Sequence, residues 1–249
     1  MLEIRDEGAV RVLTLAREKS LNAFNGALFD ALAEGLLEAQ ADDDVAVVII
    51  TGKGRAFTAG ADLTEMGQKT AVPKHGFAGL VDLLIDYHKP VIAAINGLAI
   101  GVGGTICGLV DIVYVAESAR IRCPFTALGI VPEAGSSLTF PQMMGPQRAA
   151  WFLYAADTLS ARDCVEQGMA LELLEDEGFL DQVLQRAATL ASQAPQALRE
   201  TKELLWAPRR EALRGAVVAE NRALKRTVGS PENREAIAAF MEKRKPDFG

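Results

Sequence analysis

Two short apolar runs, each followed by a glycine-rich loop, constrain the fold of this chain most strongly. The first run is VAVVII (45–50), which precedes TGKGRAFTAGADL; the second is PVIAAI (90–95), which precedes NGLAIGVGG. Both runs are too apolar for strands with one face in water, so they are typical of parallel strands buried on both faces. Because parallel strands need crossover connections, this pattern predicts a layered α/β fold that binds ligands at the loops following the strands.

Other segments of the first half fit this architecture. The segment RVLTLA (11–16) alternates as a strand does, DIVYVAE (111–117) predicts a further strand, and ARIRCPF (119–125) predicts a short extended piece. Between the first two strands, NGALFDALAEGLLEAQ (25–40) carries leucines at i, i+4 and i+8. This spacing predicts an amphipathic helix.

From about Gly145 onwards the chain is predicted to be mainly helical. In LSARDCVEQGM, Ser160 is the expected N-cap, Asp163 completes a capping box, and Gly168 ends the helix. In GSPENREAIAAFMEKRK, Ser230 is the expected N-cap of a last helix, with proline at its first position.

The composition argues against several classes of function. The 249 residues carry a formal net charge of −7 and the pI is about 5.0, which disfavours a broad surface for nucleic acid or anionic membranes. The widely spaced Cys107, Cys123 and Cys164 are expected to be reduced core residues. The N-terminal segment resembles neither a signal nor a transit peptide, and no apolar run reaches membrane-span length, so we expect a cytoplasmic protein without a membrane partner.

The loop AFTAGADL is the first candidate site. Its small residues Ala59, Gly60 and Ala61 let a ligand approach the backbone, and Asp62 is expected at the start of a helix near Leu63. Unpaired N–H groups at such a helix start suit an oxyanion. The alternative is a tight strand-to-helix turn without a ligand, and the loop by itself leaves both open.

The second glycine-rich loop, NGLAIGVGG, interrupts an apolar segment at Gly101, Gly103 and Gly104. Its spacing matches neither the dinucleotide-binding fingerprint nor a P-loop, and a close contact between helix and sheet would also explain it. The sequence contains two histidines, His75 and His88, which disfavours a Ser-His-Asp triad or a histidine-based metal site. We expect no metal ion.

A third candidate is Glu133, in GIVPEAGSSLTFP, where a carboxylate follows a proline among small and apolar neighbours. A glutamate after a proline in a loop is usually a solvated turn residue. If it instead lies in an apolar pocket, its pKa rises and it can both take and give a proton. The competing carboxylates are Asp62, expected at a helix start, and Glu65, expected on the surface.

Five segments, taken in order, resemble the crotonase (enoyl-CoA hydratase/isomerase) superfamily. They are LAREKSLNAFN, VVIITGKGRAFTAGADL, KPVIAAINGLAIGVGG, LSARDCVEQGMA and EAIAAFMEKRKPDF, and they span nearly the whole chain. The resemblance implies an α/β fold built as a spiral of ββα repeats, in residues 1–195. It implies a C-terminal helical trimerisation region in residues 196–249, which covers the site or docks on a neighbouring subunit of a trimer or a dimer of trimers.

The same resemblance implies an acyl-CoA thioester as substrate, so coenzyme A arrives as part of the substrate and no separate cofactor is expected. The N–H groups of Ala61 and Val102 would form an oxyanion hole for the thioester carbonyl. Main-chain atoms suffice for this role, so valine can replace the glycine usual at the second position. The other residues implied to contact the substrate are Arg17, Lys19, Ala59, Gly60, Asp62, Leu63, Thr105, Phe125, and, on the last helix, Phe240 and Lys243.

The positions that carry two glutamates in hydratases of this superfamily correspond here to Thr105 and Phe125. Neither side chain can activate water or protonate carbon, which disfavours ordinary hydratase activity. The segment PFTALGIVPEAGSSLTFPQMMG instead resembles the Δ3,Δ2-enoyl-CoA isomerase branch, whose single glutamate is matched by Glu133. This resemblance predicts an isomerase of fatty-acid oxidation that moves a proton from C2 to C4.

Two alternatives stay open at this point. One is another enolate reaction on the same scaffold, such as hydration, ring-epoxide isomerisation, thioester hydrolysis or decarboxylation, because one fold serves many chemistries. The other is a non-catalytic protein that binds acyl-CoA or RNA, of which the acidic balance disfavours RNA.

Overall fold

The computed structural model describes residues 1–62 and 72–249. These residues form the strands β1 (Leu2–Glu7), β2 (Val10–Leu15), β3 (Val47–Gly52), β4 (Ala56–Thr58), β5 (Val91–Ile95), β6 (Leu98–Ile100), β7 (Ile112–Ala116), β8 (Arg120–Arg122), β9 (Thr158–Ser160) and β10 (Glu172–Leu174). They form the helices α1 (Gly26–Ala41), α2 (Gly76–Ile85), α3 (Val102–Thr105), α4 (Ser136–Met144), α5 (Pro146–Ala155), α6 (Ala161–Glu166), α7 (Phe179–Ala191), α8 (Pro195–Thr227) and α9 (Pro231–Met241).

The larger sheet has the strand order β1-β2-β3-β5-β7-β10. Its pairs are parallel except for the β1–β2 hairpin. All residues of β3 and β5 are buried, which confirms the prediction of parallel strands covered on both faces. Strand β3 begins two residues later than the apolar run, and the N–H groups of Ala46 and Val47 both donate to Ala9 O where the chain enters the sheet.

A smaller sheet joins three-residue strands in the order β4-β6-β8-β9. Strands β4, β6 and β8 follow β3, β5 and β7 in the chain and pair in parallel with one another. Strands β3, β5 and β7 of the larger sheet are thus each followed by a short strand of the smaller sheet, and a helix or loop leads to the next pair. The fold class inferred from the resemblance, a layered α/β spiral of ββα repeats with a helical C-terminal region, is confirmed.

The helix boundaries predicted from caps are also confirmed. Ser160 and Asp163 form the expected reciprocal capping box at the start of α6. The Ser230 side chain accepts a hydrogen bond from Asn233 N at the start of α9, where Pro231 is the first helical residue. The three cysteines are free and buried. In residues 1–62 and 72–249, no helix is long and apolar enough to cross a membrane.

The long helix α8 is bound to the sheets through a buried polar cluster. The Asp111 carboxylate accepts hydrogen bonds from the Lys202 ammonium (2.9 Å), the Trp206 indole N–H (2.6 Å) and Val91 N (2.7 Å). Lys202 also donates to Lys89 O at 2.6 Å. Burial lowers the pKa of Lys202, and the charge of Asp111 opposes that effect. These contacts tie α8 to the core; the division into a core and a helical region at residue 196 stays a prediction.

Replacing Asp111 with alanine is expected to destabilise the protein strongly. The Asp111→Ala variant leaves the Lys202 ammonium, 4% exposed, without its counterion, and such losses cost about 3–5 kcal/mol. Urea denaturation measures the change in the free energy of unfolding. The matched control is Glu203→Ala, which breaks the more exposed pair with Arg210 (2.6 Å) and should change stability little. Equal losses in both variants would contradict this account of the cluster.

Candidate active site

The two glycine-rich loops meet at the ends of adjacent parallel strands. Strand β4 pairs with β6, so the loops that follow them leave the same edge of the smaller sheet. Gly60 has φ +89°, and a Cβ atom built on it would lie 2.9 Å from Ile100 O. A Cβ atom on Gly101 would lie 3.9 Å from Gly60 Cα. Glycine at position 60 therefore permits both the left-handed turn and the close approach of the loops.

The N–H groups of Ala61 and Val102 lie on these two loops. Phe24 N donates to Gly60 O (2.7 Å) and Asp62 N donates to Phe24 O (2.8 Å), a pattern that leaves the intervening Ala61 N–H out of the bridge. Val102 is the first residue of α3, where an N–H has no partner within the helix. Among the described residues neither N–H has an acceptor, so both are available to a substrate oxygen.

Arg17 holds the first loop in place. Its guanidinium forms an ion pair with Asp62 (3.0 Å) and donates to Ala23 O, with the Arg17 and Asp62 side chains 18% and 10% exposed. Ala59 N donates to Leu21 O at 2.9 Å. The resemblance to the crotonase superfamily implies Arg17 only as a contact for the acyl-CoA substrate. The structure gives it a second role, as a brace beside the Ala61 N–H.

Several predicted site residues make no hydrogen bond or ion pair with these loops among the described residues, or lie outside the described part. Leu63 and the competing carboxylate Glu65 lie outside the described residues, as does the helix expected to begin there. Lys19 is exposed, Phe240 is exposed near the end of α9, and Lys243 is exposed just beyond it. No hydrogen bond or ion pair in residues 1–62 and 72–249 links these three to the loops, and their contacts with coenzyme A stay predictions.

Glu133 lies immediately before a left-handed turn that leads into α4. Ala134 and Gly135 have φ values of 59° and 74°. The carbonyl oxygen of Glu133 accepts hydrogen bonds from Ser136 N (3.1 Å) and Ser136 Oγ (2.6 Å), which fixes the backbone. Its carboxyl group makes no hydrogen bond or ion pair within the described residues. The backbone is therefore held while the carboxyl group remains available.

The surroundings of Glu133 favour the protonated form of its carboxyl group. Its side chain is only partly accessible to solvent, and burial, followed by the nearby charge of Glu220, raises its pKa from 4.5 to about 7. Glu133 also contributes, after burial and Cys107, to the raised pKa of the Cys123 thiol. Cys123 Sγ lies 3.8 Å from Gly101 O, so the charge of Glu133 acts on a thiol beside the loop that carries the Val102 N–H.

Thr105 and Phe125, the two positions with glutamates in hydratases, are fully enclosed here. They are 0% and 3% exposed. Thr105 Oγ1 lies 3.5 Å from Val102 O, and Phe125 stands before the 3-10 turn Thr126–Leu128. Neither provides an ionisable group, whereas the Glu133 carboxyl group lacks a hydrogen-bond partner in the described chain.

Glu220, on α8, is a buried carboxylate that sequence reasoning missed. It accepts hydrogen bonds from Gly135 N (2.7 Å) and Ser137 N (2.8 Å) at the N-terminus of α4. It is 5% exposed. Its separation of 85 residues from Gly135 means that no local motif could have indicated the contact.

The chain resembles characterised proteins along nearly its whole length. The family model described as enoyl-CoA hydratase/isomerase matches residues 5–249. A crystal structure of enoyl-CoA hydratase/isomerase from Pseudoalteromonas atlantica T6c has a TM-score of 0.95 and 34% identity, covering 100% of this chain and 99% of that chain. The 2,3-dehydroadipyl-CoA hydratase of Escherichia coli (strain K12) is 33% identical over 241 residues, which cover 96% of this chain and 94% of that protein.

A second curated relative carries a different activity. Enoyl-CoA delta isomerase 2 of Rattus norvegicus is 34% identical over 250 residues, covering 98% of this chain but 63% of that longer protein. Together with the fold, these matches assign the chain to the enoyl-CoA hydratase/isomerase family, the crotonase superfamily. Hydratases and isomerases match this chain at similar sequence identity, so sequence similarity alone does not identify the reaction.

Proposed function

We propose that this chain is a Δ3,Δ2-enoyl-CoA isomerase of fatty-acid oxidation, with Glu133 as its only proton carrier. The observation that carries the proposal is the state of that carboxyl group: it has no hydrogen bond or ion pair in the described chain, and burial raises its pKa to about 7. A group that must accept a proton and then return it works best with a pKa near the operating pH.

The reaction follows from these groups. The thioester carbonyl of a 3-enoyl-CoA accepts hydrogen bonds from the N–H groups of Ala61 and Val102. Glu133 removes a proton from C2, and the electron pair of the C–H bond delocalises into a dienolate whose negative charge rests on the thioester oxygen. Glu133 then returns the proton to C4, so the double bond moves from C3–C4 to C2–C3. Fixed N–H donors of this kind contribute roughly 3–4 kcal/mol each in other oxyanion holes.

Hydration is disfavoured because it needs more groups than the site provides. Adding water across a 2-enoyl thioester requires one group to activate water and a source of a proton for C2. The buried Thr105 and Phe125 can supply neither function. A single carboxyl group that alternates between its two protonation states suffices for an allylic proton shift.

A cavity next to Glu133 supports an acyl substrate. It has a volume of about 290 Å³ and lies between α2 and α8, with Phe77, Val81, Ala134 and Val217 in its wall. The apolar part of this wall, which begins one residue from Glu133, suits a hydrocarbon chain, and Asp82, Arg214 and Asn221 form the polar part. In this proposal coenzyme A is part of the substrate, and no other cofactor or metal ion takes part.

The proposed enzyme acts as a homotrimer or a dimer of trimers, in the cytoplasm. The C-terminal helices support the assembly, because Leu204, Leu205, Phe240 and Met241 are 60–75% exposed in the single chain. Large exposed apolar side chains of this kind mark surfaces that other subunits cover. Lys19 and Lys243 are then available for the anionic nucleotide part of coenzyme A.

A substrate panel tests the proposal. We expect turnover of 3-enoyl-CoA to 2-enoyl-CoA, with kcat/KM rising as pH increases to about 7, where the base form of Glu133 accumulates in the free enzyme. We expect little reaction with 2-enoyl-CoA and water, or with malonyl-type and ring-epoxide CoA thioesters. Activity restricted to hydration of 2-enoyl-CoA would refute the isomerase assignment. Tight acyl-CoA binding without turnover of any substrate would instead support a binding protein.

A further inference from the structure

The turn after Glu133 is held by a carboxylate from a distant helix. Two successive residues, Ala134 and Gly135, have left-handed backbones, and an alanine in this conformation is unfavourable unless its surroundings fix it. Glu220 supplies that restraint by accepting hydrogen bonds from Gly135 N (2.7 Å) and Ser137 N (2.8 Å). The peptide that carries the Glu133 side chain is therefore oriented from α8.

The two carboxyl groups lie in contrasting environments. Glu220 accepts two N–H hydrogen bonds at the N-terminus of α4, and such a position stabilises the anionic form of a carboxyl group. Glu133 has no such donors in the described chain. The Glu220 carboxylate is therefore engaged as an acceptor for the backbone of the turn and α4, while the Glu133 carboxyl group is left available to carry a proton.

We propose that Glu220 is a positioning residue for Glu133: it fixes the Ala134–Gly135 turn and holds a negative charge beside the proton carrier. This inference rests on the proposed isomerase function only for its kinetic readout. The charge of Glu220 is the second cause, after burial, of the raised pKa of Glu133. Without the charge of Glu220, burial alone would raise the pKa of Glu133 less, and Glu133 would stay protonated over a smaller pH range.

The other groups around Glu133 do not replace this charge. Burial, followed by nearby electrostatic interactions, keeps the pKa of the Cys123 thiol well above its usual range, so the thiol stays neutral. Asp82 and Arg214, at the wall of the cavity beside the turn, form a pair at 3.7 Å with side chains 64% and 44% exposed. Because the charges of Asp82 and Arg214 are opposite and solvated, their effects on the Glu133 carboxyl group largely cancel.

The test uses two substitutions of Glu220 in the full-length enzyme. Glu220→Gln removes the charge and keeps one acceptor oxygen, so the midpoint of the kcat/KM profile should move to lower pH by about one unit. Glu220→Asp keeps the charge but shortens its reach, so the midpoint should stay while kcat falls about tenfold or more and KM changes little. The matched control is Glu211→Gln, an exposed glutamate of α8, which should change neither quantity.

A second readout does not depend on turnover. Infrared difference spectra between wild type and Glu133→Gln isolate the carboxylic-acid C=O band of Glu133, whose intensity is followed against pH. In Glu220→Gln the titration midpoint of this band should move downward by the same amount as the kinetic midpoint.

The outcomes separate the two proposals. If 3-enoyl-CoA is not turned over but the infrared midpoint moves, the isomerase assignment fails and the role of Glu220 stands. An unmoved infrared midpoint in Glu220→Gln would overturn the inference, even with isomerase activity intact. If Glu220→Gln does not fold, Glu220→Asp decides: an unchanged kcat per folded enzyme would show that Glu220 acts only as a helix cap.

Discussion

Replacing Glu133 with glutamine is expected to abolish measurable isomerisation while acyl-CoA binding survives. An amide cannot take the C2 proton and has none of suitable acidity to return to C4, so both chemical steps are lost. Positioned acid–base groups contribute about 10²–10⁴-fold in enzymes, and we expect a fall in kcat of at least about 10³-fold. The substrate Kd should change by less than tenfold, because Ala61 and Val102 hold the thioester through main-chain atoms. Steady-state kinetics and calorimetric titration with a saturated acyl-CoA measure the two quantities.

The control for this substitution is Glu117→Gln, which makes the same chemical change at an exposed position after β7. It should leave kcat and KM unchanged. Retention of a tenth or more of wild-type kcat in Glu133→Gln would rule out Glu133 as the sole proton carrier.

The wild-type protein should lose stability as pH rises, and the Glu133→Gln variant should lack this pH dependence. The pKa of Glu133 is about 7 in the folded protein against 4.5 as the ordinary value, so the folded state holds its proton over a range in which the unfolded state has lost it. The free energy of unfolding therefore decreases as pH rises from about 4.5 to about 7, by on the order of 2–3 kcal/mol. Glu133→Gln removes this contribution, and denaturation at several pH values would show that the variant is folded.

The second large effect is expected for Gly60→Ala. The new Cβ atom would stand 2.9 Å from Ile100 O, so the loops that carry Ala61 and Val102 must move apart. Loss of one oxyanion-hole donor costs about 10²–10³-fold in kcat. We expect kcat to fall by roughly 10²-fold, because both donors shift while neither is removed. Kinetics with 3-enoyl-CoA measure the loss.

A glycine in an open turn supplies the control for Gly60→Ala. Gly8, between β1 and β2, also has a left-handed backbone (φ +60°), but a Cβ atom there meets nothing within 4 Å. Gly8→Ala incurs a similar conformational cost of about 1 kcal/mol without moving the loops, so stability should fall and kcat should stay. Equal kcat in the two variants would contradict the assigned role of Gly60.

The parts of the fold that sequence predicted are those with strong local patterns. The buried strands β3 and β5 follow from runs of β-branched and apolar residues, and the capping box of Ser160 and Asp163 follows from its spacing. Strand β1 was not predicted, because its mixed charges lie in an exposed hairpin strand. In the smaller sheet, β8 falls within the predicted extended segment ARIRCPF, whereas β4, β6 and β9 are too short for any periodicity and are created by pairing with neighbouring segments.

In the candidate site, too, the residues with local sequence patterns were predicted and their contacts with distant partners were not. Ala61, Val102 and Glu133 are indicated by short motifs and by resemblance, because each role depends on a loop with its own sequence pattern. The partners that hold these residues come from distant parts of the chain. Arg17 reaches Asp62 across 45 residues, and Glu220 reaches Gly135 across 85. Contacts of this length follow from tertiary packing, which no pattern in a single sequence specifies.

The most direct test of the central claim is a structure of the protein with a bound 3-enoyl-CoA analogue. The account predicts the thioester oxygen within about 3 Å of both Ala61 N and Val102 N, as oxyanion-hole geometry requires. It predicts a carboxyl oxygen of Glu133 about 3–3.5 Å from C2 and within similar reach of C4. A thioester held by other groups, or a Glu133 carboxyl group that reaches neither carbon, would contradict the claim that Glu133 alone carries the proton.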